Sequence, residues 1–332
     1  MLISFCIPTY NRCEYLKTTL LSIIEEIDRS NNIDKVEICI SDNNSNDGTK
    51  EMIQEIISNT KIKILFSKNE FNIGFDKNIL KVVSLSKSKY TWLFGSDDNL
   101  IEGALSKMLD YINKYESDIY LCNRIECSLN MEPIKYDFAN KSLRTNFHSS
   151  VELEIQEYFN SCTGLLGAFS FISSLVFKNE SWSKQKFDNK YNGFVYSHVF
   201  MILGIITRDE STITLIQDHF VLCRQNDDII KNEGLVKRIL LDINAYSEFA
   251  KYFFIYKSTL YLSFVSVVRK EHEINKFIFI KQNVTKLYWE EEVLPKLKDL
   301  NYNPLLLRII NSSKFVLFFV RSLFFLKRKL KI

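Results

Sequence analysis

Residues 36–49 read Val36-Glu37-Ile38-Cys39-Ile40-Ser41-Asp42-Asn43-Asn44-Ser45-Asn46-Asp47-Gly48-Thr49, an apolar run that ends in a polar loop. The run is rich in β-branched residues and too short for a helix, whereas residues 49–57 carry apolar side chains at helical spacing. A strand, a polar loop and a helix therefore follow one another. The same unit recurs on either side. Residues 2–7, 62–67, 90–95 and 119–123 read as further strands, and residues 14–27, 75–85 and 101–115 as the helices between them. Such alternation predicts an α/β fold with a largely parallel sheet covered by helices on both faces. Ligands of these sheets bind beyond the carboxyl ends of the strands, so the loops at 8–12, 42–48, 68–74 and 95–99 are the ones to inspect.

Beyond residue 125 the pattern loosens. Residues 130–150 are polar and aperiodic and read as a connecting loop; 169–178 read as a strand, 194–206 as a helix, and 213–217 with 220–223 as a strand pair around Asp218 and His219. From about residue 228 the chain turns helical, over 235–254, 257–268, 274–287 and 305–326. Two regions are expected, 1–227 and 228–332.

The 332 residues are 46% hydrophobic, enough for a substantial core, and 43 Lys+Arg against 40 Asp+Glu leave a net charge of +3. That excess is local. From Leu300 onward stand Arg308, Lys314, Arg321, Lys327, Arg328, Lys329 and Lys331 with no acid, so the rest of the chain is slightly acidic. An extended positive footprint for nucleic acid is missing. Seven cysteines without a C-x-x-C pair suggest reduced thiols of a cytoplasmic protein. The opening apolar run stops at Pro8, too short for a secretory signal, and no uncharged stretch reaches 18 residues.

Two of the strand-end loops carry unusual chemistry. Ser45, Asp47 and Gly48 suit a capped helix start, but capping leaves Asp42 and Asn43 unexplained. In Trp92-Leu93-Phe94-Gly95-Ser96-Asp97-Asp98-Asn99 a buried strand runs into two adjacent carboxylates. Their repulsion is relieved by a cation, and oxygen ligands suit Mg²⁺ or Mn²⁺; a solvated turn before the next helix is the plainer reading.

Taken together, these loops resemble the GT-A glycosyltransferases of family 2, inverting enzymes that use nucleotide-sugar donors. The resemblance runs in order over residues 1–125. Ile7-Pro8-Thr9-Tyr10-Asn11-Arg12 is similar to the family's first strand and turn, and Ser41 to Thr49 to its Asp-Asp-x-Ser-x-Asp-Gly-Thr segment. Asn72-Ile73-Gly74 with Asn78 resembles the next helix start, and Gly95-Ser96-Asp97-Asp98 takes the place of the metal-binding Asp-x-Asp. The Rossmann glycine fingerprint is absent. The resemblance implies a GT-A, Rossmann-like sheet with a C-terminal helical region, in which 1–125 binds the nucleotide-sugar and 126–227 the acceptor. It implies donor contacts from Pro8, Thr9, Tyr10, Asn11, Asp42, Asn43, Gly74, Asn78, Ser96 and Asp97, and a divalent cation, Mn²⁺ or Mg²⁺, on Asp97 and Asp98. That cation would stabilise the leaving diphosphate.

Two departures stand out. Most family members carry a carboxylate where this chain has Asn43, and a carboxylate accepts the N3–H of uracil; an amide both donates and accepts. The first acid of the usual Asp-x-Asp is Gly95 here.

Inversion needs a base for the acceptor hydroxyl. The family's acidic pair is missing from residues 194–200, and His198 falls at the corresponding place, with Asp188 in the preceding loop as the alternative. A histidine on so apolar a helix also reads as a core residue. Arg224, after the last strand, is placed to face the diphosphate with its donor fork, or to pair with Asp227 or Asp228.

In the tail, Lys314, Arg321 and Arg328 share a narrow helix face while Phe315, Leu317, Phe319, Val320, Leu323, Phe324 and Leu326 fill much of the rest. Such a helix must bury its apolar surface. The basic cluster after it suits an anionic lipid surface at about 1 kcal/mol per charge. The expected protein is an enzyme on the cytoplasmic face of the inner membrane, attached through residues 305–332, that transfers sugar to a saccharide or lipid-linked acceptor for a bacterial surface polysaccharide such as capsule, lipopolysaccharide or O-antigen. A sugar-phosphate nucleotidyltransferase is the competing enzyme, but it should open with a glycine-rich basic loop, and residues 8–12 hold no glycine. A catalytically inactive GT-A scaffold is the non-enzymatic alternative.

Overall fold

In β1 (Ile3–Thr9) and β2 (Val36–Asp42) every residue is buried, as the unbroken apolar runs of strands covered on both faces require. The computed structural model describes residues 1–207, 210–225 and 228–312. The remaining strands are β3 (Lys63–Lys68), β4 (Tyr90–Leu93), β5 (Asn99–Leu100), β6 (Ile119–Cys127), β7 (Pro133–Asp137), β8 (Asn146–His148), β9 (Leu175–Lys178) and β10 (Thr212–Arg224). Among the described residues they form a single sheet in the order β3-β2-β1-β4-β9-β6-β10-β5, with β7 on β6 and β8 on β10.

The first four strands are parallel, as the alternation predicts. Beyond them the sheet is mixed rather than largely parallel, because β9 runs antiparallel to both β4 and β6. Helices α1 (Cys13–Ser30), α2 (Thr49–Asn59), α3 (Phe75–Leu85) and α4 (Ala104–Tyr115) connect the strands. α1 buries Leu16, Leu20, Ile23 and Ile27 at helical spacing, and these join apolar residues of α2 and α4 in one core against the sheet. α3 packs instead with β1, β2 and a later helix, α7 (Ser197–Ile206). The chain crosses over between β1 and β4, and this switch in strand order opens a crevice at the carboxyl ends of the strands.

Three local expectations are corrected. Residues 213–223 form no hairpin: β10 continues from Thr212 to Arg224 beside parallel β6, with irregular register around His219. Asp218 and His219 have no left-handed backbone for a two-residue turn. Residues 169–174 are not strand, because the Trp92 indole N–H donates to the Ser173 carbonyl at 2.8 Å and Ser173 Oγ accepts from the Gly95 N–H at 2.7 Å. Only β9 reaches the ladder. The polar stretch 130–150 contains β7 and β8, and the outer position of β7 leaves most of its residues exposed.

The connections on this side are α5 (Glu152–Ser161), α6 (Asn179–Ser183) and α7 (Ser197–Ile206). The last starts three residues later than the apolar pattern suggests. Residues 1–226 form one compact unit and 227–332 a second. The second unit is helical: α8 (Asp228–Phe253, interrupted by non-helical Gly234), α9 (Thr259–Glu271), α10 (Lys276–Asn283), α11 (Lys286–Tyr288), α12 (Leu294–Asp299) and α13 (Pro304–Asn311). The helix expected over 274–287 is broken at Val284 and Thr285. That expected over 305–326 is described only to α13, so the basic cluster of the tail lies outside the described residues. No described helix is long and apolar enough to cross a membrane. All seven cysteines are free.

Candidate functional site

At the ends of β1 and β2, Thr9 stands opposite Asp42, and the Asn43 N–H donates to the Thr9 carbonyl at 2.8 Å. Asn11, in left-handed backbone with φ 50°, turns the chain back. Its N–H donates to Ser45 Oγ at 2.8 Å, and its Oδ1 accepts from the Asn46 N–H at 3.0 Å. Asp47 accepts from the N–H groups of Cys13 and Thr49. The two loops are thus stitched together, with Pro8 buried behind them and Tyr10 exposed. Asp42, unexplained by capping, has its own partner: Oδ1 accepts from the Ser45 N–H at 2.9 Å and from its hydroxyl at 2.5 Å. The Oδ2 atom of Asp42 and Oγ1 of Thr9 are buried without a hydrogen-bond partner, and Lys68 Nζ stands 3.8 Å from Asp42 Oδ2. Orphaned oxygens side by side at strand ends call for an explanation such as a ligand or water.

Asn43 belongs to a buried amide network. Its Oδ1 accepts from the Ile73 N–H at 2.9 Å and from Asn69 Nδ2 at 3.0 Å, and its Nδ2 donates to Asn72 Oδ1 at 2.7 Å. Asn78, on α3, is buried behind it, accepting from Ser41 Oγ and Asn69 Nδ2 and donating to the Ser41 carbonyl. Gly74, with φ 84°, precedes α3 and gives its N–H to Asn72 Oδ1.

The acidic loop leaves β4 and crosses through β5 to the end of β10. Ser96 is buried along it, and Asp97 meets Arg12 at 2.5 Å. Asp98 is buried, accepting from Ser173 Oγ at 2.5 Å and from the Arg224 N–H at 3.3 Å. Arg224 Nε donates to the Asp97 carbonyl at 3.1 Å, its Nη1 to the Leu129 carbonyl, and its guanidinium lies 4.9 Å from the Tyr15 ring centre. Gly95 makes the room: a Cβ there would stand 2.6 Å from Asp98 Oδ2 and 3.3 Å from Asp97 Oδ1. Both carboxylates therefore converge over one glycine. Burial, and then the charge of Asp97, push the Asp98 carboxyl up to about 7.

Among the described residues no group of three or more metal-binding side chains is assembled. Magnesium-type sites often use one or two carboxylates plus substrate phosphate and water, and a buried, like-charged pair is the donor set that a cation relieves. The residues present fit such an ion.

The Asp98 shift has a sign that can be tested without metal. A carboxyl raised to about 7 keeps a proton in the folded state that the unfolded chain has released. The contribution of Asp98 to stability therefore falls as pH rises between about 4 and 7, by at most about 1.4 kcal/mol per unit. Chemical denaturation of the metal-free protein and of Asp98→Asn at pH 5 and pH 7.5 should show the wild type losing stability relative to the variant as pH rises; parallel curves would refute the assignment.

Before α7, Asp76 of α3 is buried and holds the preceding loop. Its Oδ2 accepts from the N–H groups of Gly193 at 2.8 Å and Val195 at 3.1 Å, and its Oδ1 from that of Ser197 at 2.8 Å. This clamp explains the late start of α7 and keeps β-branched Val195 at φ 58°, a strained conformation typical of functional loops. His198 is 1% exposed, its Nε2 3.2 Å from the Ser170 carbonyl. Asp188 is at the surface, accepting from the Lys190 N–H at 3.1 Å with Lys190 Nζ at 3.4 Å.

The sequence profile of Glycosyl transferase family 2 matches residues 4–178, which span β1 to β9. The chain belongs to glycosyl transferase family 2. The abequosyltransferase RfbV of Salmonella typhimurium is 39% identical to this family 2 chain over 82% of its length and 81% of the relative's. The GalNAc(5)-diNAcBac-PP-undecaprenol beta-1,3-glucosyltransferase of Campylobacter jejuni is 23% identical over 64% and 67%. Among solved structures, Staphylococcus aureus TarS 1-349 in complex with UDP superposes with a TM-score of 0.63 at 15% identity, covering 90% of this chain and 80% of that one. The mannosyltransferase PcManGT of Pyrobaculum calidifontis, in complex with GDP-Man and Mn²⁺, gives 0.57 at 11% identity over 98% and 80%. These likenesses establish the GT-A fold.

For this family 2 glycosyltransferase, the sequence-predicted Asp97, Asp98 and Arg224 come together at one strand end, with Thr9, Asp42 and Asn43 at the neighbouring ends. Arg12 and Ser173 complete the arrangement, Asp76 fastens the loop before α7, and none of the three was singled out for these roles. The pairs Arg12–Asp97, Ser173–Asp98 and Asp76–Ser197 are separated by 85, 75 and 121 residues, so spacing carries no trace of them.

Proposed function

We propose that this family 2 glycosyltransferase moves a sugar, with inversion, from a nucleotide-sugar to a saccharide or lipid-linked acceptor during synthesis of a bacterial surface polysaccharide. The observation that carries this reading is the convergence of Asp97, Asp98, Arg12 and Arg224 at the switch in strand order. The names of two relatives, one an abequosyltransferase and the other acting on a PP-undecaprenol acceptor, support the substrate classes.

Asp97 and Asp98 would hold a divalent cation, which supplies Lewis-acid stabilisation to the leaving diphosphate. Arg12 and Arg224 add fixed positive charge beside it. The nucleoside extends from there over the end of β1 towards Thr9, Tyr10, Asn11, Asp42 and Asn43, with Gly74 and Ser96 as close backbone approaches and Asn78 supporting Asn43 from behind. Asp188, at the surface, takes the proton of the acceptor hydroxyl; His198, the other candidate base, is buried against the Ser170 carbonyl.

The location is the cytoplasmic face of the membrane. On α13, Leu305, Leu306 and Ile309 are exposed next to the basic tail sequence, which suits an anionic surface. Cosedimentation with phosphatidylglycerol vesicles, lost on removing residues 313–332, checks it.

The reading is tested with purified full chain, a panel of nucleotide-sugars and an undecaprenyl-diphosphate-linked saccharide. The product should carry the anomeric configuration opposite to the donor's. Asp188→Asn should leave donor affinity within threefold and slow transfer by about 100-fold. A retained anomer would refute inversion, and neither transfer nor donor hydrolysis with any sugar would favour the inactive scaffold.

A further inference from the structure

The helical unit holds an open cavity of about 590 Å³ between the end of α9 and the turn from α12 to α13, lined by Arg269, Glu273, Asn301, Asn303 and Leu306 among others. Arg269 and Glu273 stand four residues apart, the spacing at which opposite charges pair along a helix. They do not pair, because α9 ends at Glu271 and its cap residue His272 leaves the helical conformation, with φ −115° and ψ 87°. Two opposite charges therefore line one cavity without meeting.

Both have capacity to spare. Of the five N–H groups of the Arg269 guanidinium, one donates to the Leu300 carbonyl at 2.6 Å. The Glu273 carboxylate has the Asn275 amide at 3.4 Å. Among the described residues neither charge has an ion-pair partner. Arg269 is half-buried, and that burial holds its guanidinium below its ordinary value. A guanidinium drawn partly out of water without a counter-ion is stabilised by an anion. Asn303 adds a donor of the same sense. Its Oδ1 accepts from the backbone N–H groups of Leu305 at 2.9 Å and Leu306 at 3.3 Å, which identifies the oxygen and leaves Nδ2 to donate.

These donors alone would suit any phosphate. Glu273 narrows the choice, since its charge repels a simple anion and attracts an ammonium. The third feature is apolar: Leu306, which lines the cavity, is 37% exposed, and on the same helix Leu305 and Ile309 are 65% and 38% exposed. The ligand that matches all three carries a phosphate, an ammonium and a hydrocarbon body.

We infer that this cavity seats the headgroup of phosphatidylethanolamine, its phosphate at Arg269 and Asn303, its ammonium at Glu273, and its acyl chains along the exposed face of α13. The inference rests on the membrane location proposed above and adds recognition of one headgroup to the charge attraction of the basic tail. Phosphatidylcholine brings no N–H to Glu273, and phosphatidylglycerol brings no cation.

The test is cosedimentation of the full chain with vesicles of equal phosphatidylglycerol content whose remaining lipid is either phosphatidylethanolamine or phosphatidylcholine. The ethanolamine vesicles should be bound about tenfold more tightly. Arg269→Gln and Glu273→Gln should each bring the two affinities to within about twofold of one another. A preference that both variants keep would come from looser lipid packing beneath α13 and overturns the inference. Equal wild-type binding to the two vesicles overturns it as well, and leaves the membrane location standing. Binding to neither overturns the membrane location, and this inference with it. Free O-phosphoethanolamine should abolish the preference; calorimetric binding of it by a chain that shows no preference among vesicles would assign the cavity to a soluble ligand and overturn the lipid. Glu273 is exposed, so its variant decides should Arg269→Gln fail to fold.

Discussion

Asp97→Asn is expected to slow sugar transfer by about 1000-fold while the protein stays folded. Asp97 is the less buried of the two carboxylates over Gly95 and the one facing Arg12. Its removal takes away the charge that would hold a cation against the diphosphate, and losing a single preorganised electrostatic group typically costs 10²- to 10³-fold in rate. The substitution is nearly isosteric, so the loop has no new volume to place. Arg224 is anchored to the Asp97 backbone carbonyl and to Leu129, and neither contact uses the lost charge. Initial rates with a labelled donor, beside thermal melts of both proteins, check this. A variant within threefold of wild type would remove Asp97 from the chemistry.

The second large effect is on stability. Asp76→Ala should cost about 3 kcal/mol and lower Tm by about 10 °C. Three backbone N–H groups, of Gly193, Val195 and Ser197, lose their acceptor together. A buried donor left without a partner costs about 1–3 kcal/mol, and water entering the space recovers part of the total. Val195 is held in a left-handed conformation that a β-branched residue avoids, so the loop should rearrange once the clamp is gone. Asp76→Asn keeps an acceptor for one side of the clamp and should lose less. Melting curves of the two variants separate a carboxylate that fastens this loop from one that merely caps α3; equal, small losses would refute the clamp.

Residues 1–125 were legible because β1, β2 and β4 are buried along their whole length. Such strands appear in sequence as short unbroken apolar runs, and the polar loops between them stand out by contrast. β7 offers no such signal, since its outward position leaves Pro133, Ile134, Lys135 and Tyr136 exposed. The bulged course of β10 imitates a hairpin because Asp218 and His219 are polar, and only the register with β6 shows that the chain does not reverse. At the site, Asp97, Asp98, Asp42, Asn43 and Arg224 announced themselves as polar residues at strand ends. Their partners did not. Ser173 is one serine among several, and its hold on both Gly95 and Asp98 depends on a turn that the apolar pattern of residues 169–178 conceals.

Gly95 bears on how this loop can change over generations. A side chain there would press on Asp98 Oδ2 at 2.6 Å and on Ser173 Oγ at 3.2 Å. A side chain at position 95 would therefore require the Asp98 carboxylate, held by Ser173, to shift. An acid at 95 and the present seat of Asp98 beside Ser173 thus call for different arrangements of the same loop. Positions 95 and 98 are therefore coupled, and a change at one is best accommodated together with a change at the other.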